Sequence, residues 1–323
     1  MYKNNIFMRT GIVILNYNNS VDTINCIESV MKNNTAEIKI VLVDNGSPNK
    51  KVIEELADYV SKRFHQNSLI TKEGEQIPQT LPFFTFLISE TNDGYASGNN
   101  KGLKLVYEDD SLQQVMILNN DILFVEDIIP QLTYYLETLP NAAIVSPLLL
   151  KKNGIDIDFN CARTNVRVKE MTKLFFLSAL NIRYNKMDEH KMLVSNPSLL
   201  KKDFFEVELP SGSCMLLNKE FFKSIQSFDP KTFLYYEENI LFRKICLALK
   251  KNYLCPQLKC IHLGASTTKK MVRSYNYIKM SNKSSKYYVE NYADCSLLQK
   301  QLFIISQQLY LWKELLCCKL KGI

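Results

Sequence analysis

The sequence predicts an α/β protein with a mostly parallel, Rossmann-like sheet flanked by helices and with a helical extension at its C-terminus. Two observations lead to this prediction. In the first half of the chain, short runs of aliphatic residues alternate with amphipathic stretches of helical period. After Ser266 the strand-like runs stop, and apolar residues recur only with helical spacing. The change of pattern predicts a boundary between a sheet-based body and the extension.

Strands and helices are predicted to alternate through the first half. The predicted strands are 10–16, 38–43, 84–88, 114–118 and 143–149. The predicted helices between them cover about 20–31, 49–64, 95–107 and 127–138. The Ser20 hydroxyl is the expected cap of the first helix. Residues 66–82 contain Gly74, Pro78 and Pro82 and predict a loop.

The second half has fewer clear signals. Residues 151–154 predict a hairpin-like turn, and the rest of 150–205 predicts a variable flap or loop. Regular structure is expected again at 205–217, and residues 258–261 are strand-like. Helices are expected at about 219–225 and 238–250.

The composition is that of a folded protein. Of the 323 residues, 46% are hydrophobic and 23% are charged, which allows a large core and argues against wholesale disorder. The nine cysteines are odd in number and lack a paired Cys-x-x-Cys spacing, so they predict reduced thiols. No apolar run resembles a signal peptide or approaches the roughly 20 residues that span a bilayer. We therefore expect a cytoplasmic protein.

Polar residues follow four of the predicted strands at the point where each strand ends. These strand exits are Asn16-Tyr17-Asn18-Asn19, Asp44-Asn45-Gly46-Ser47, Asn92 to Gly102, and Asn119-Asn120-Asp121. Ligands of open α/β sheets bind beyond the carboxyl ends of the strands. The four exits therefore predict one shared site.

Two adjacent carboxylates, Glu237 and Glu238, follow the aromatic run 233–236 and begin a predicted helix. Neighbouring acids raise each other's pKa, and a carboxylate at an aromatic-walled cleft suits a general base. A charged helix start stabilised by the helix dipole is the non-functional explanation of the same pair. The turn Ser211-Gly212-Ser213 lies upstream of them.

In their order and spacing, these motifs resemble the family 2 nucleotide-sugar glycosyltransferases, which have a GT-A type fold. The resemblance runs from about Thr10 to Ser266 and also includes His262-x-x-Gly264-Ala265-Ser266. Within that family the chain is most similar to bacterial enzymes that build surface polysaccharides. The resemblance implies inverting transfer of a sugar from a UDP-sugar or dTDP-sugar to a hydroxyl of a glycan or lipid-linked saccharide.

The resemblance also implies a role for each motif. The implied nucleotide-binding residues are Asn16, Tyr17, Asn18, Asp44, Asn45, Ser47, Asn92, Gly94, Tyr95, Asn99, Asn100 and Asn120. Among them, Asp44 is expected to accept the imide N–H of uracil or thymine. The turn Ser211, Gly212 and Ser213 is expected to shape the acceptor and donor-sugar side of the cleft.

The catalytic base and the metal ligands follow from the same resemblance. Glu238 aligns with the family's base, usually Asp, and Glu237 remains an alternative. Residues 119–121 occupy the place of the family's DxD motif, with Asn119 instead of the first carboxylate. Asp121 and His262 are the implied ligands of Mg²⁺ or Mn²⁺.

The expected domain organisation has two parts. Residues 1–265 form the GT-A catalytic domain, with the nucleotide-sugar part at about 1–125 and the acceptor part at about 126–265. Residues 266–323 form a basic amphipathic helical extension with ten Lys or Arg against three acidic residues. One apolar helix face is predicted there from Leu298, Leu302, Ile305, Leu309, Trp312 and Leu316. Two expectations follow, and they are compatible: the helix docks on the catalytic domain, and as a basic amphipathic helix it rests on the anionic inner face of the cytoplasmic membrane.

Three other functions fit the sequence less well than this resemblance. A sugar-phosphate nucleotidyltransferase needs a Gly-rich basic loop after the first strand, where this chain has Asn-Tyr-Asn-Asn. A non-catalytic scaffold or binding subunit of a polysaccharide assembly complex would not need Asp44, Asp121, Glu238 and His262 together. Nucleic-acid binding is not expected, because the basic tail has no accompanying recognition motif.

Overall fold

The computed structural model describes residues 9–182, 184, 193–264 and 275–320 and confirms a mixed α/β fold. The first half contains β1 (Thr10–Asn16), α1 (Ser20–Lys32), β2 (Ile38–Asn45), α2 (Lys50–Phe64), β3 (Ser68–Lys72), β4 (Phe84–Ser89), α3 (Gly94–Glu108), β5 (Gln114–Asn119), β6 (Ile122–Phe124), α4 (Ile129–Thr138) and β7 (Ala142–Lys151). The described part of the second half contains β8 (Ala162–Arg163), α5 (Val168–Ala179), α6 (Pro197–Leu200), β9 (Phe205–Val207), β10 (Leu209–Pro210), β11 (Cys214–Asn218), α7 (Lys219–Ser224), α8 (Glu237–Leu247), β12 (Lys251–His262), α9 (Tyr275–Asn291) and α10 (Leu297–Leu320).

One mostly parallel sheet organises the described residues. Its strand order is β3-β4-β2-β1-β5-β11-β7-β12-β6, and β9 also pairs with β12. The strands from β3 to β5 in this order are parallel, whereas β11 is antiparallel to both β5 and β7. The register places Asn16 opposite Asp44 and Leu15 opposite Asn119. The ends of β1, β2 and β5 therefore lie side by side at one edge of the sheet.

Helices cover both faces of the sheet because successive strand residues point to opposite sides. Ile12 and Ile14 of β1 pack in one core with α1, α2 and α4, whereas Val13 packs in a second core with α3, α7 and α8. Both cores consist of fully buried aliphatic and aromatic side chains. A third cluster joins Met171 of α5 and Ile240 of α8 to α9 and α10.

Two details of the first half differ from the prediction. The cap of α1 is Asn19, whose side chain accepts from the Asp22 N–H at 3.1 Å, while the Ser20 hydroxyl donates to Glu55. Residues 66–82 include strand β3, which pairs with β4 at the edge of the sheet. Backbone pairing holds this strand, and only one of its five residues is buried, so no apolar period marks it.

The segment 150–205 also contains more regular structure than predicted. The turn at 151–154 is present, with Gly154 N–H donating to Lys151 O at 2.8 Å. Beyond it, α5 occupies part of the expected flap, and most of its apolar contacts are to elements distant in sequence. The motif residues Ala265 and Ser266 lie outside the described residues.

The extension forms two helices, and α10 docks through the face opposite to the apolar one. The six side chains of the predicted apolar face are 38% to 64% exposed, with Trp312 at 58%. Phe303, Ser306 and Gln307 are buried instead. The Gln307 amide donates to Asn282 O at 3.0 Å, so its polar group is satisfied in the interface with α9. The helix therefore docks on the described body of the protein, as one of the two expectations has it, but through residues outside the predicted apolar face.

Candidate active site

The first two strand exits are tied together by the carboxylate of Asp44. Asp44 accepts from the Asn16 amide at 2.7 Å and from the Ser47 backbone N–H at 3.0 Å, and the Ser47 hydroxyl donates to it as well. The Ser47 hydroxyl oxygen in turn accepts from the Asn18 N–H at 2.7 Å. Asp44 has no exposed surface, so the expected contact with a base would require these loops to move. In this structure Asp44 orders the loops, in which Asn18 is exposed and Tyr17 is half-buried.

The third exit connects the sheet to the second half of the chain. Asn45 donates to Asn92 and to the Gly94 carbonyl, both at 3.0 Å. Gly94 has φ +86°, and a Cβ there would lie 2.1 Å from the Phe233 carbonyl oxygen, so only glycine fits. Tyr95 N–H donates to that same oxygen at 2.9 Å. The start of α3 is thereby fixed against residue 233.

Two further residues expected at the nucleotide are engaged in contacts of α3. The Asn99 side chain is fully buried and donates to Tyr95 O at 2.9 Å, one turn earlier in the same helix. The Asn100 amide donates to Phe228 O at 2.9 Å. Asn100 therefore ties α3 to the second half of the chain, whereas Asn99 bonds within the helix.

The fourth exit carries the candidate metal ligand. The Asn120 amide donates to the Thr23 hydroxyl at 2.9 Å and to Asn16 at 3.3 Å, so this exit joins the first. Asp121 is 8% exposed, and its Oδ1 atom is buried without a hydrogen-bond partner. Its Oδ2 atom lies 3.3 Å from His262 Nε2. An unpaired buried carboxylate oxygen beside an imidazole nitrogen is a suitable donor set for a divalent cation.

Asp158, which the sequence analysis missed, contacts the opposite side of the His262 ring. Asp158 Oδ2 lies 2.7 Å from His262 Nδ1. Burial of His262 opposes protonation, but its contacts with Asp121 and Asp158 outweigh this effect and raise its pKa to about 9. A carboxylate on Nδ1 fixes the orientation of a metal-binding histidine so that Nε2 faces the ion.

The residues present fit Mg²⁺ or Mn²⁺ as an ion shared with a ligand. No group of three or more His, Cys, Asp or Glu side chains in the described part of the chain is placed to hold a metal. Asp121 and His262 supply two donors, and such ions commonly complete their coordination with water and substrate phosphate oxygens.

The paired carboxylates have different surroundings. Glu237 is 4% exposed, and burial together with the adjacent Glu238 raises its pKa to about 8. Glu238 is partly exposed, and its Oε1 accepts from the Gly212 N–H at 3.1 Å. The Arg163 Nη2 atom lies 3.4 Å from the same oxygen. Only Glu238 therefore faces the cleft.

Gly212 allows this close approach. A Cβ at this position would lie 2.8 Å from the Tyr95 hydroxyl and 3.2 Å from Glu238 Oε1. The Tyr95 hydroxyl donates to the Gly212 carbonyl at 2.7 Å. The neighbouring Ser213 accepts from the Asn119 amide at 3.2 Å, which connects the 211–213 turn to the fourth strand exit.

The backbone before α8 is strained. Tyr235 and Tyr236 have φ values of +70° and +71°, a left-handed conformation that costs a non-glycine residue about 1–3 kcal/mol. Glu237 and Glu238 follow immediately. Strain of this kind accumulates where the surrounding structure imposes a functional geometry.

A cavity of about 270 Å³ opens beside Glu238. Its volume is near the lower limit for ligand pockets, which suits one sugar-sized group. Arg163 and Asn239 contribute polar groups at its wall, and the buried Arg163 Nε atom has no hydrogen-bond partner. The remaining wall is mostly apolar or aromatic and includes Val166, Met171, Leu174, Phe175, Leu209, Tyr235 and Tyr236.

A comparison with known families and proteins identifies related sequences. The model of the glycosyl transferase family 2 matches residues 11–226, about two thirds of the chain. A curated relative, the low-salt glycan biosynthesis hexosyltransferase Agl10 of Haloferax volcanii, is 25% identical over 153 residues. That match covers 47% of this chain and 43% of the relative, so this chain corresponds to less than half of the relative's length.

Solved structures share the fold at low sequence identity. GalNAc-T7, crystallised with UDP, GalNAc and Mn²⁺, is 14% identical with a TM-score of 0.56, over 96% of this chain and 57% of that chain. The mannosyltransferase PcManGT of Pyrobaculum calidifontis, in complex with GDP-mannose and Mn²⁺, is 10% identical with a TM-score of 0.53, over 99% and 76%. S. aureus TarS 1–349 is 12% identical with a TM-score of 0.50, over 93% and 71%.

Proposed function

Because the chain belongs to glycosyl transferase family 2, we propose that it transfers a sugar from a nucleotide diphosphate donor to an acceptor hydroxyl. The GT-A type fold expected from the sequence is confirmed. The observation that carries the proposal is that the 119–121 strand exit joins both parts of the candidate site. Asp121 of this exit contacts His262, and Asn119 donates to Ser213 in the turn that holds Glu238.

The donor in this proposal is a UDP-sugar or a dTDP-sugar, which the strand exits would bind. Tyr17 and Asn18 border the nucleotide side, while Asp44, Asn45 and Ser47 hold the loops that form it. Hexosyl transfer is favoured because the Haloferax relative is a hexosyltransferase. GDP-sugars belong in the test because PcManGT was solved with GDP-mannose.

The proposed reaction is a single in-line displacement with inversion at the anomeric carbon. Glu238 accepts the proton of the acceptor hydroxyl as the new C–O bond forms and the bond to the diphosphate breaks. Asp121 and His262 would hold Mg²⁺ or Mn²⁺, which supplies positive charge for the departing diphosphate. Asp158 orients His262, and Gly212 N–H keeps Glu238 at the cleft.

The apolar cavity beside Glu238 is the proposed entry of the acceptor. An acceptor hydroxyl placed there would lie next to the carboxylate that removes its proton. We assign the acceptor to glycans or lipid-linked saccharides of bacterial cell-surface polysaccharide synthesis, and the protein to the cytoplasm with peripheral contact to the inner membrane face. In the described residues, none of the helices is long and apolar enough to cross a membrane.

The test is nucleotide diphosphate release from a panel of UDP-, dTDP- and GDP-sugars, with Mn²⁺ or with EDTA. We expect metal-dependent release from one donor and its loss in Asp121→Ala. Absence of both release and donor binding by calorimetry would contradict the proposal and favour a non-catalytic scaffold. Donor binding without release would direct the search to the acceptor.

A further inference from the structure

Helix α10 leaves a long apolar stripe exposed to solvent. The stripe consists of Leu298, Leu302, Ile305, Leu309, Trp312, Leu316 and Leu320. At 1.5 Å rise per residue it extends for roughly 33 Å along one side of the helix. Soluble proteins expose single apolar side chains commonly but seldom a continuous set of this size. The stripe therefore needs a partner.

The stripe is not a consequence of poor packing of α10. The opposite side of the helix is well packed, because the ring of Phe303 lies 5.6 Å from that of Phe175 on α5. The Gln307 amide also donates to the Ser285 hydroxyl at 2.7 Å. The orientation of α10 is thus fixed by specific contacts, and these contacts direct the leucines outward.

We propose that the α10 apolar stripe binds the surface of an anionic lipid bilayer. A helix with leucine and tryptophan on one side and a net positive charge lies in the plane of such a surface. By sequence, α10 carries Lys300, Lys313 and Lys319 against Glu314, and residues 266–323 together contain ten Lys or Arg and three acidic residues, a net charge of +7. A second copy docking through the same segment would bring equal positive charges together, whereas acidic headgroups attract them.

The position of α10 connects this surface to the candidate active site. Phe175 contacts α10 and also lines the cavity beside Glu238. Binding of α10 to a bilayer would hold that cavity close to lipid-linked molecules. The membrane inference itself does not depend on the proposed transfer reaction, since it requires no donor or metal.

The experiment measures co-sedimentation of the full chain with vesicles. We expect binding to vesicles of phosphatidylcholine and phosphatidylglycerol, weaker binding to phosphatidylcholine alone, and release at high salt. The double substitution L298Q/L316Q removes two leucines that are 64% and 61% exposed, and should lower partitioning at least about tenfold. The control L247Q/L249Q changes leucines that are 69% and 83% exposed outside the stripe, and should alter it less than about twofold.

Specific outcomes would overturn the inference. These are absence of binding to the mixed vesicles, or equal loss in both double variants with unchanged circular dichroism. A third outcome is a protein that does not bind vesicles but forms a concentration-dependent dimer in sedimentation velocity. If L298Q/L316Q abolishes that dimer, the stripe binds a second copy of the chain instead. Nucleotide diphosphate release without vesicles is measured in parallel, so failure of the transferase proposal remains distinguishable.

Discussion

The strand exits and the region around α8 are joined through the 211–213 turn but are held in place by different forces. At the strand exits, polar side chains bind one another, as in the contacts of Asn16 and Ser47 with Asp44. Around α8, close approach and burial position the groups: Gly212 makes room for Glu238, and Glu237 is enclosed. Under the proposed function, changes at the exits should act on donor binding, whereas changes around α8 should act on proton transfer.

The largest effect is expected from a substitution of Glu238, the partly exposed carboxylate at the start of α8. Glu238→Gln should lower the transfer rate by about 10²–10⁴-fold, because an amide cannot accept the acceptor proton. Donor affinity by calorimetry should change little. Glu237→Gln is the matched control, since this side chain is 4% exposed and does not face the cleft. Near-wild-type transfer by Glu238→Gln would remove it as the base.

The second prediction concerns Asp158, which positions His262 beside the fourth strand exit. Asp158→Ala should weaken Mn²⁺ binding by roughly 10–100-fold, because His262 Nδ1 loses the carboxylate that orients the ring. Electron paramagnetic resonance of free Mn²⁺ measures this without donor or turnover. Asp158→Asn keeps an amide oxygen that accepts from Nδ1–H, so its Mn²⁺ affinity should lie between those of the unsubstituted protein and Asp158→Ala. The exposed Asp156 in the same hairpin provides the control Asp156→Ala, and equal losses in both alanine variants would refute the positioning role.

The third prediction concerns the burial of Glu237. Burial and Glu238 raise its pKa to about 8 from an ordinary 4.5, so the folded state binds one more proton than the unfolded state between these values. The free energy of unfolding should therefore fall as pH rises through this window, with a contribution of about 1.4 kcal/mol per pH unit. Urea unfolding at several pH values should show a flatter profile in Glu237→Gln. An unchanged profile in that variant would contradict the buried protonated state.

The smallest effect is expected from loss of the hydrogen bond that joins the start of α3 to the 211–213 turn. Tyr95→Phe removes the hydroxyl that donates to the Gly212 carbonyl at 2.7 Å. The loss of one hydrogen bond should lower stability by about 0.5–1.5 kcal/mol and loosen the turn beneath Glu238. Thermal unfolding and transfer rate measure the two consequences. Tyr107→Phe removes a different, part-buried hydroxyl, bonded to Ser227, and should lower stability without affecting transfer.

The sequence was informative where structure depends on local pattern. Strands 84–88 and 114–118 were predicted within about one residue because buried parallel strands consist of continuous apolar runs. The edge strand β3 lacked that signal, since its pairing uses the backbone alone. The helical period of α10 was also correct, but its buried side was not, because the period does not specify which partner covers the apolar face.

The residues of the candidate site also divide into those that sequence motifs indicate and those that only the fold brings together. Asp121, Glu238 and His262 could be selected from motifs, because each lies at the end or start of a predictable element. Asp158 could not, since 104 residues separate it from His262 and only the fold brings them together. Arg163 was missed for the same reason, being distant in sequence from the Glu238 that it contacts.

The left-handed conformation of Tyr235 and Tyr236 has a consequence for how this protein would respond to selection. Glycine adopts φ near +70° without strain, so Tyr235→Gly should remove part of a cost of about 1–3 kcal/mol. The same change would free the backbone that leads into Glu237 and Glu238. Selection for heat resistance alone should therefore favour loss of the tyrosine, and selection for turnover should retain it, a trade-off between robustness and catalytic precision.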